Sequence, residues 1–267
     1  AAAKVMLTVT DSTRKGYDME YTFLEFVSDD QIKSEAQNLV GQATDILNDA
    51  TVGTTIRFRT DQYGKIVKYY NLKDIRKQAE EVLAKAISKM PYADSLRAVG
   101  LDSDKLMSMI DSDDLVDGYT EEIELLFNYH GDQYKIGKTE SHEDATENEY
   151  ASDTKTDIWL DPDTYEYGIS ADVYSYIPRE DIKVLLGNLI EYFTDEESAK
   201  DVRKGLDTEF DSQVTTDGVY NSYVRISYFN DGWPHEVVSQ DNISLGDRQK
   251  LKQKYITWDY RSVGHSE

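Results

Sequence analysis

The residues Asp113-Asp114-Leu115-Val116-Asp117-Gly118-Tyr119-Thr120-Glu121-Glu122-Ile123-Glu124 come nearest to a metal-binding spacing. Read as a calcium loop, they place Asp, Asp, Gly and Glu at positions one, five, six and twelve. Leu115 then occupies position three, where the ion needs an oxygen. Beyond Gly118, the alternation Ile123, Leu125, Phe127 and Tyr129 predicts a strand where the motif demands a helix. A solvated acidic turn accounts for the segment, and no metal is predicted.

Two carboxylates across a bond could hydrolyse a glycoside, and Asp161 with Asp163 or Asp111 with Asp113 have the proximity. The chain holds 52 acidic residues, so pairs arise everywhere. Those in turns are explained by side-chain bonds to the backbone. His130, His142, His235 and His265 form no His-x-x-x-His pair, and no Gly-x-Ser-x-Gly accompanies them. Glycine-rich phosphate loops are missing. The absence of cysteine removes thiol catalysis, disulfides, iron-sulfur clusters and thiolate zinc. Neither a catalytic residue nor a cofactor is predicted.

The 20 tyrosines offer more. Tyr165, Tyr167, Tyr174 and Tyr176 fall on one predicted strand, with Trp159, Trp233 and Trp258 on or beside others. Tyr165, Tyr167, Trp159, Trp233 and Trp258 are the candidate ligand-binding residues, since rings at strand spacing can line a pocket or stack on a carbohydrate. A half-buried sheet uses the same residues for packing alone.

A formal charge of −23 repels nucleic acid and anionic headgroups, so neither is expected as a partner. No run of apolar residues is long enough for a membrane span. The opening Ala1-Ala2-Ala3-Lys4 carries no apolar signal core. Together with the missing cysteines, this leads us to expect an exported protein whose leader has been removed.

The elements that must position these residues follow from periodicity. Val5, Leu7 and Val9 predict one strand, and Met19 to Phe23 a second that slips phase at Leu24 and Phe26, as a bulge would cause. Helical spacing runs from Asp29 to Asp49 and again from Leu72 to Met90, where Pro91 stops it. Short helical pieces around Leu106, Met109 and Ile110 mark a joint. An inserted hairpin through Ile123–Tyr129 and Tyr134–Ile136 is predicted to open the second half. Thr139 to Thr154 is polar and acidic, reading as a loop of weak order or a hairpin end facing water. A long strand from Tyr165 to Ile177 precedes helices over Pro178–Phe193 and from Thr194 onward. The chain closes with strands Tyr223–Phe229 and His235–Ser239, a helix over Leu245–Lys254 and a strand through Trp258.

One hairpin echoes another: Ile56-Arg57-Phe58 leads to a turn at Gly64, and Val224-Arg225-Ile226 to a turn at Gly232, at the same offset. The returning strands differ by a shift, with Ile66-Val67 close behind the first glycine and Val237-Val238 further behind the second. The fold class predicted is α+β: a curved antiparallel sheet, or two smaller sheets, packed by amphipathic helices in duplicated strand-strand-helix-strand-strand-helix units. The halves are residues 1–112 and 113–267, as two domains or one continuous domain.

The turns Trp159-Leu160-Asp161-Pro162-Asp163-Thr164 and Asn230-Asp231-Gly232-Trp233-Pro234, with the acidic, cysteine-free, tyrosine-rich chain, resemble exported or lipid-anchored envelope proteins of Bacteroidetes. The same turns are similar to those of periplasmic lipoprotein carriers, in which a curved sheet lies over helices. The resemblance implies an extracytoplasmic binding or structural role, and the function we expect is that of a non-enzymatic binding protein of the periplasm or cell surface, with a small apolar or carbohydrate ligand. A carbohydrate-active hydrolase using paired carboxylates and a protein-interaction module are the alternatives.

Overall fold

In a computed structural model of the chain, residues 2–27, 51–89, 112–147, 149–193, 203, 205 and 208–262 are described. The helices expected over Asp29–Asp49, around Leu106–Ile110 and directly after Thr194 lie outside them. The class is α+β, with two antiparallel sheets. Each sheet belongs to its own compact unit, residues 1–132 and 133–267.

In the first unit, Ala2–Thr13 (β1), Gly16–Val27 (β2), Thr55–Thr60 (β3) and Ile66–Tyr69 (β4) lie side by side in chain order. Lys4 pairs with Glu25 and Val5 with Phe23, so Leu24 is the extra residue of a bulge, where the apolar phase slips. Met19 faces Phe58 and Tyr21 faces Ile56 in register. Those four, with Phe23 and Thr60, are buried. Burying each large apolar side chain is worth roughly 1.5–3 kcal/mol, so this face commits the unit to a helical cover.

The cover comes from helices Leu72–Lys89 (α1) and Ser112–Phe127 (α2), which pack on each other. Phe127 meets Phe58 edge to face at 5.6 Å, and Tyr119 meets Phe23 at 6.0 Å. The strand expected through Ile123–Tyr129 is thus wrong, and Tyr134 and Ile136 form no return strand. Val116, Thr120, Ile123 and Phe127 are buried at helical spacing, and Leu126 joins them. That face outweighs the two-residue alternation running through the same letters. The candidate calcium loop is helical along its backbone, not the open loop that the motif requires.

Asn71 ties α1 to the sheet. Its backbone oxygen accepts the N–H of Ile75, while its side chain accepts the Arg57 N–H at 2.8 Å and donates to the Thr55 carbonyl at 2.8 Å. The side chain thereby extends the β3 ladder just where β4 stops.

The second unit orders its strands β10-β9-β8-β7-β6-β5. They are Gly137–Glu143 (β5), Ser152–Leu160 (β6), Tyr167–Ile177 (β7), Gly218–Tyr228 (β8), Pro234–Leu245 (β9) and Arg248–Thr257 (β10), with helix Arg179–Phe193 (α3) between β7 and β8. The polar stretch Thr139–Thr154 is the water-facing end of the β5–β6 hairpin. The helix expected over Leu245–Lys254 is instead the turn into β10 and most of that strand. Residues 248–255 alternate Arg, Gln, Lys, Leu, Lys, Gln, Lys, Tyr, a period of two that gives no helical apolar face.

Register aligns Ile158, Ile169, Ile226, Val237 and Ile256 in one row across five strands. The three central members are buried. Helix α3 is held at its start: the Arg179 N–H donates to Asp217 at 2.9 Å, and the Arg179 guanidinium and Lys183 both reach Asp211.

The echo extends further than its letters. Phe58 pairs with Tyr69, Arg59 with Lys68 and Thr60 with Ile66, the shift lying between Arg59 and Thr60. Ile226 pairs with Val237, Ser227 with Glu236 and Tyr228 with Pro234, with the shift between Ser227 and Tyr228. Position for position the two ladders coincide, so the returning strands share a register, and it is their residues that differ. In each unit two hairpins, β1–β2 with β3–β4 and β6–β7 with β8–β9, form a four-stranded run. The second unit departs from the expected duplication by adding β5 and β10 at its edges.

Asn71→Ala leaves the Arg57 N–H and Thr55 carbonyl without their side-chain partner, at a cost of about 1–3 kcal/mol. Urea denaturation followed by far-UV circular dichroism should show the lower midpoint; an unchanged midpoint contradicts the bridging role.

Candidate functional site

The five aromatic candidates gather at one end of the second sheet. Leu160 faces Tyr167, Tyr167 faces Tyr228, and Tyr228 faces Pro234, so the β6–β7 and β8–β9 turns emerge together. β10 ends there as well, since Thr257 pairs with Glu236 and Trp258 follows it. Trp159, Tyr165, Tyr167, Trp233 and Trp258 therefore share one end, although 99 residues of chain (258 minus 159) separate the first from the last.

The fold already uses several of these rings. Trp159 lies directly opposite Gly168 in register, and its six-membered ring fills the space of the missing side chain. A Cβ at Gly168 would stand 2.1 Å from Trp159 Cζ2. The Arg225 guanidinium sits 5.1 Å from the centre of the same indole. Tyr167 stacks on Tyr228 at 4.9 Å, and burial followed by the Asp231 charge pushes its hydroxyl pKa up. Trp258 donates its indole N–H to the Pro234 carbonyl.

The two turns are built from polar side chains. Asp161 accepts the N–H groups of Asp163 at 2.8 Å and Thr164 at 3.2 Å, and these bonds hold its carboxyl below the ordinary value. In the other turn, the N–H of Phe229 donates to the Trp233 carbonyl and that of Gly232 to the Phe229 carbonyl. Arg261 closes this end, pairing with Asp231 and lying 4.3 Å from the ring centre of Phe229. His235 packs here, its ring 4.3 Å from that of Phe229.

Tyr165 differs from the others. Its φ is 59°, a left-handed conformation, and its ring is 68% exposed. For a residue with a Cβ that conformation costs roughly 1–2 kcal/mol, and glycine or asparagine would adopt it more cheaply.

Asp18, Asp153, Asp161 and Asp211 are each held below the ordinary carboxyl value, chiefly by hydrogen bonds from Tyr70, Tyr176, the Asp163 backbone and Lys183 respectively. A glycosidase needs one carboxyl pushed the other way. Among the described residues no group of histidines and acids is arranged to hold a metal ion. No protein-family model matches the chain, and no curated protein or solved structure does either.

A cluster that the letters did not disclose sits at the opposite end of the same sheet. His142 Nδ1 lies 2.8 Å from Asp153 Oδ1 across the β5–β6 pair, Tyr176 donates to Asp153 Oδ2 at 2.7 Å, and Asp144 is 3.4 Å from His142 Nε2. Only the pairing of His142 with Asp153 in register brings them together. The hydrogen bond to Asp153 raises the imidazole pKa, whereas Tyr176 and then His142 lower that of Asp153. The histidine's contribution to stability is fully present below its unfolded value of about 6.5 and disappears as pH rises through its folded value. The aspartate's contribution is present above its unfolded value and disappears as pH falls through the depressed one.

The contact is therefore complete in the acidic window between the two groups. In an NMR titration His142 should protonate at a pH above 6.5, and Asp153→Asn should bring it back towards that value. Identical titrations in both proteins contradict the assignment.

Proposed function

We propose that this protein is a non-enzymatic binding protein acting in the periplasm or at the cell surface, and that it holds a small or apolar ligand at the aromatic end of its second sheet. The observation that carries this reading is Tyr165. Trp159, Tyr167 and Trp258 are engaged by the fold, whereas Tyr165 keeps an exposed ring on a turn whose backbone favours another residue. Strain of this kind persists where the side chain is needed. The turn beneath it is tied by Asp161, so the ring is presented from a fixed base.

The face of the sheet that carries Tyr167 and Tyr228 suits an apolar guest. Beside the buried row of Ile169, Ile226 and Val237 lie Thr156, Ala171, Val173 and Val224, short side chains that are half-buried. The extracytoplasmic setting is supported by the absence of cysteine and by the resemblance of the two turns to those of envelope proteins.

Native mass spectrometry of protein purified without refolding, followed by titration with a fluorescent fatty acid, tests the proposal. We expect a retained ligand or saturable binding. Tyr165→Gly should weaken that binding about tenfold, equivalent to about 1.4 kcal/mol, while leaving the Tm unchanged or raised. No retained ligand together with non-saturable uptake of the probe overturns the reading.

A further inference from the structure

We propose that β10 is an acceptor edge that captures an acidic, extended peptide segment of another protein by strand addition. β10 stands at the end of the six-stranded order, and among the described residues only β9 pairs with it. Its pairing with β9 runs from Arg248 to Thr257 with no register shift, so the strand keeps its pleat over its whole length. Among the described residues the outer edge consequently presents a regular row of backbone donors and acceptors, the surface that strand addition uses.

The side chains specify the guest. Arg248, Lys250, Lys252 and Lys254 alternate with Gln249, Leu251, Gln253 and Tyr255, so one face of the strand is cationic and the other carries apolar groups. Leu251 is 57% exposed and Tyr255 62%. Four cations on alternate residues stand out in a chain with 29 basic against 52 acidic residues. Lysines on an edge also keep like edges apart. Exposed Leu251 and Tyr255 between them would defeat a purely protective design. The complementary guest has acidic residues on alternate positions and apolar residues between them.

The test is fluorescence anisotropy with a labelled ten-residue peptide of alternating glutamate and valine, joined by hydrogen exchange. We expect saturable binding that weakens with salt, together with slowed exchange of β10 amides. A peptide of the same composition with its glutamates in one block should bind at least about tenfold more weakly, because strand addition reads the alternation. The double variant Lys250→Glu/Lys252→Glu should lose the binding while its circular dichroism spectrum is kept. Equal binding of the block peptide, or binding without protection of β10, overturns the proposal. So does self-association of the protein in place of peptide capture, or preferential binding to anionic phosphatidylglycerol vesicles.

Discussion

The bulged turn that closes each echo hairpin decides which side chains of its unit are inside. In the first unit the Asp61 N–H donates to the Lys65 carbonyl and the Gly64 N–H to the Asp61 carbonyl. In the second, Phe229, Trp233 and Gly232 repeat the pattern. The closing glycines adopt φ of 86° and 88°, a left-handed conformation open to glycine at little cost. With the turn closed this way, the incoming strand can meet the returning one in a single register. Phe58 and Ile226 then fall at equivalent places on the inner face. A slip of one residue would turn both outward and expose the core that each unit is built on.

From that register the remaining structure follows by packing. In the first unit, Phe58 and Ile56 need an apolar cover, and Phe127 and Ile123 supply it from α2. Asn71 anchors α1 where the short β4 ends, so the helix starts at a point fixed by the ladder. In the second unit, the equivalent hairpin lies between strands on both sides, and its turn sits level with the β6–β7 turn. The aromatic end thus arises from strand lengths that match across the sheet. Its composition is a local choice added to that frame, with Asp161 and Arg261 fixing the turns and Tyr165 carried on one of them.

Much of this was legible in the letters, for physical reasons that vary by element. β2 and α1 announce themselves because one face is buried and the other is wetter, so period and burial agree, while β1 and β7 show through their alternation alone. The Leu24 bulge is visible as a break in that agreement. α2 was misread because Ile123, Leu125, Phe127 and Tyr129 satisfy a two-residue period, while Val116 and Thr120, which reveal the helix, lie upstream in an acidic stretch. β10 was misread for want of an apolar face: an edge strand with both faces wet leaves little but alternation to find. Among the site residues, the aromatic letters were conspicuous but their duties were not. Whether an indole fills the space above Gly168 or faces a ligand depends on cross-strand register, which no local pattern contains. The pairing of His142 with Asp153 was hidden for the same reason.

The central claim is that the aromatic end of the second sheet receives a ligand, with Tyr165 as its exposed contact. Backbone amide shifts recorded by NMR while a fatty acid is added test it most directly. The account predicts saturable shifts confined to Asp161–Tyr167, Phe229–Trp233 and the neighbourhood of Trp258. Shifts that cluster in the first unit, or a spectrum that does not change at any ligand concentration, would contradict it.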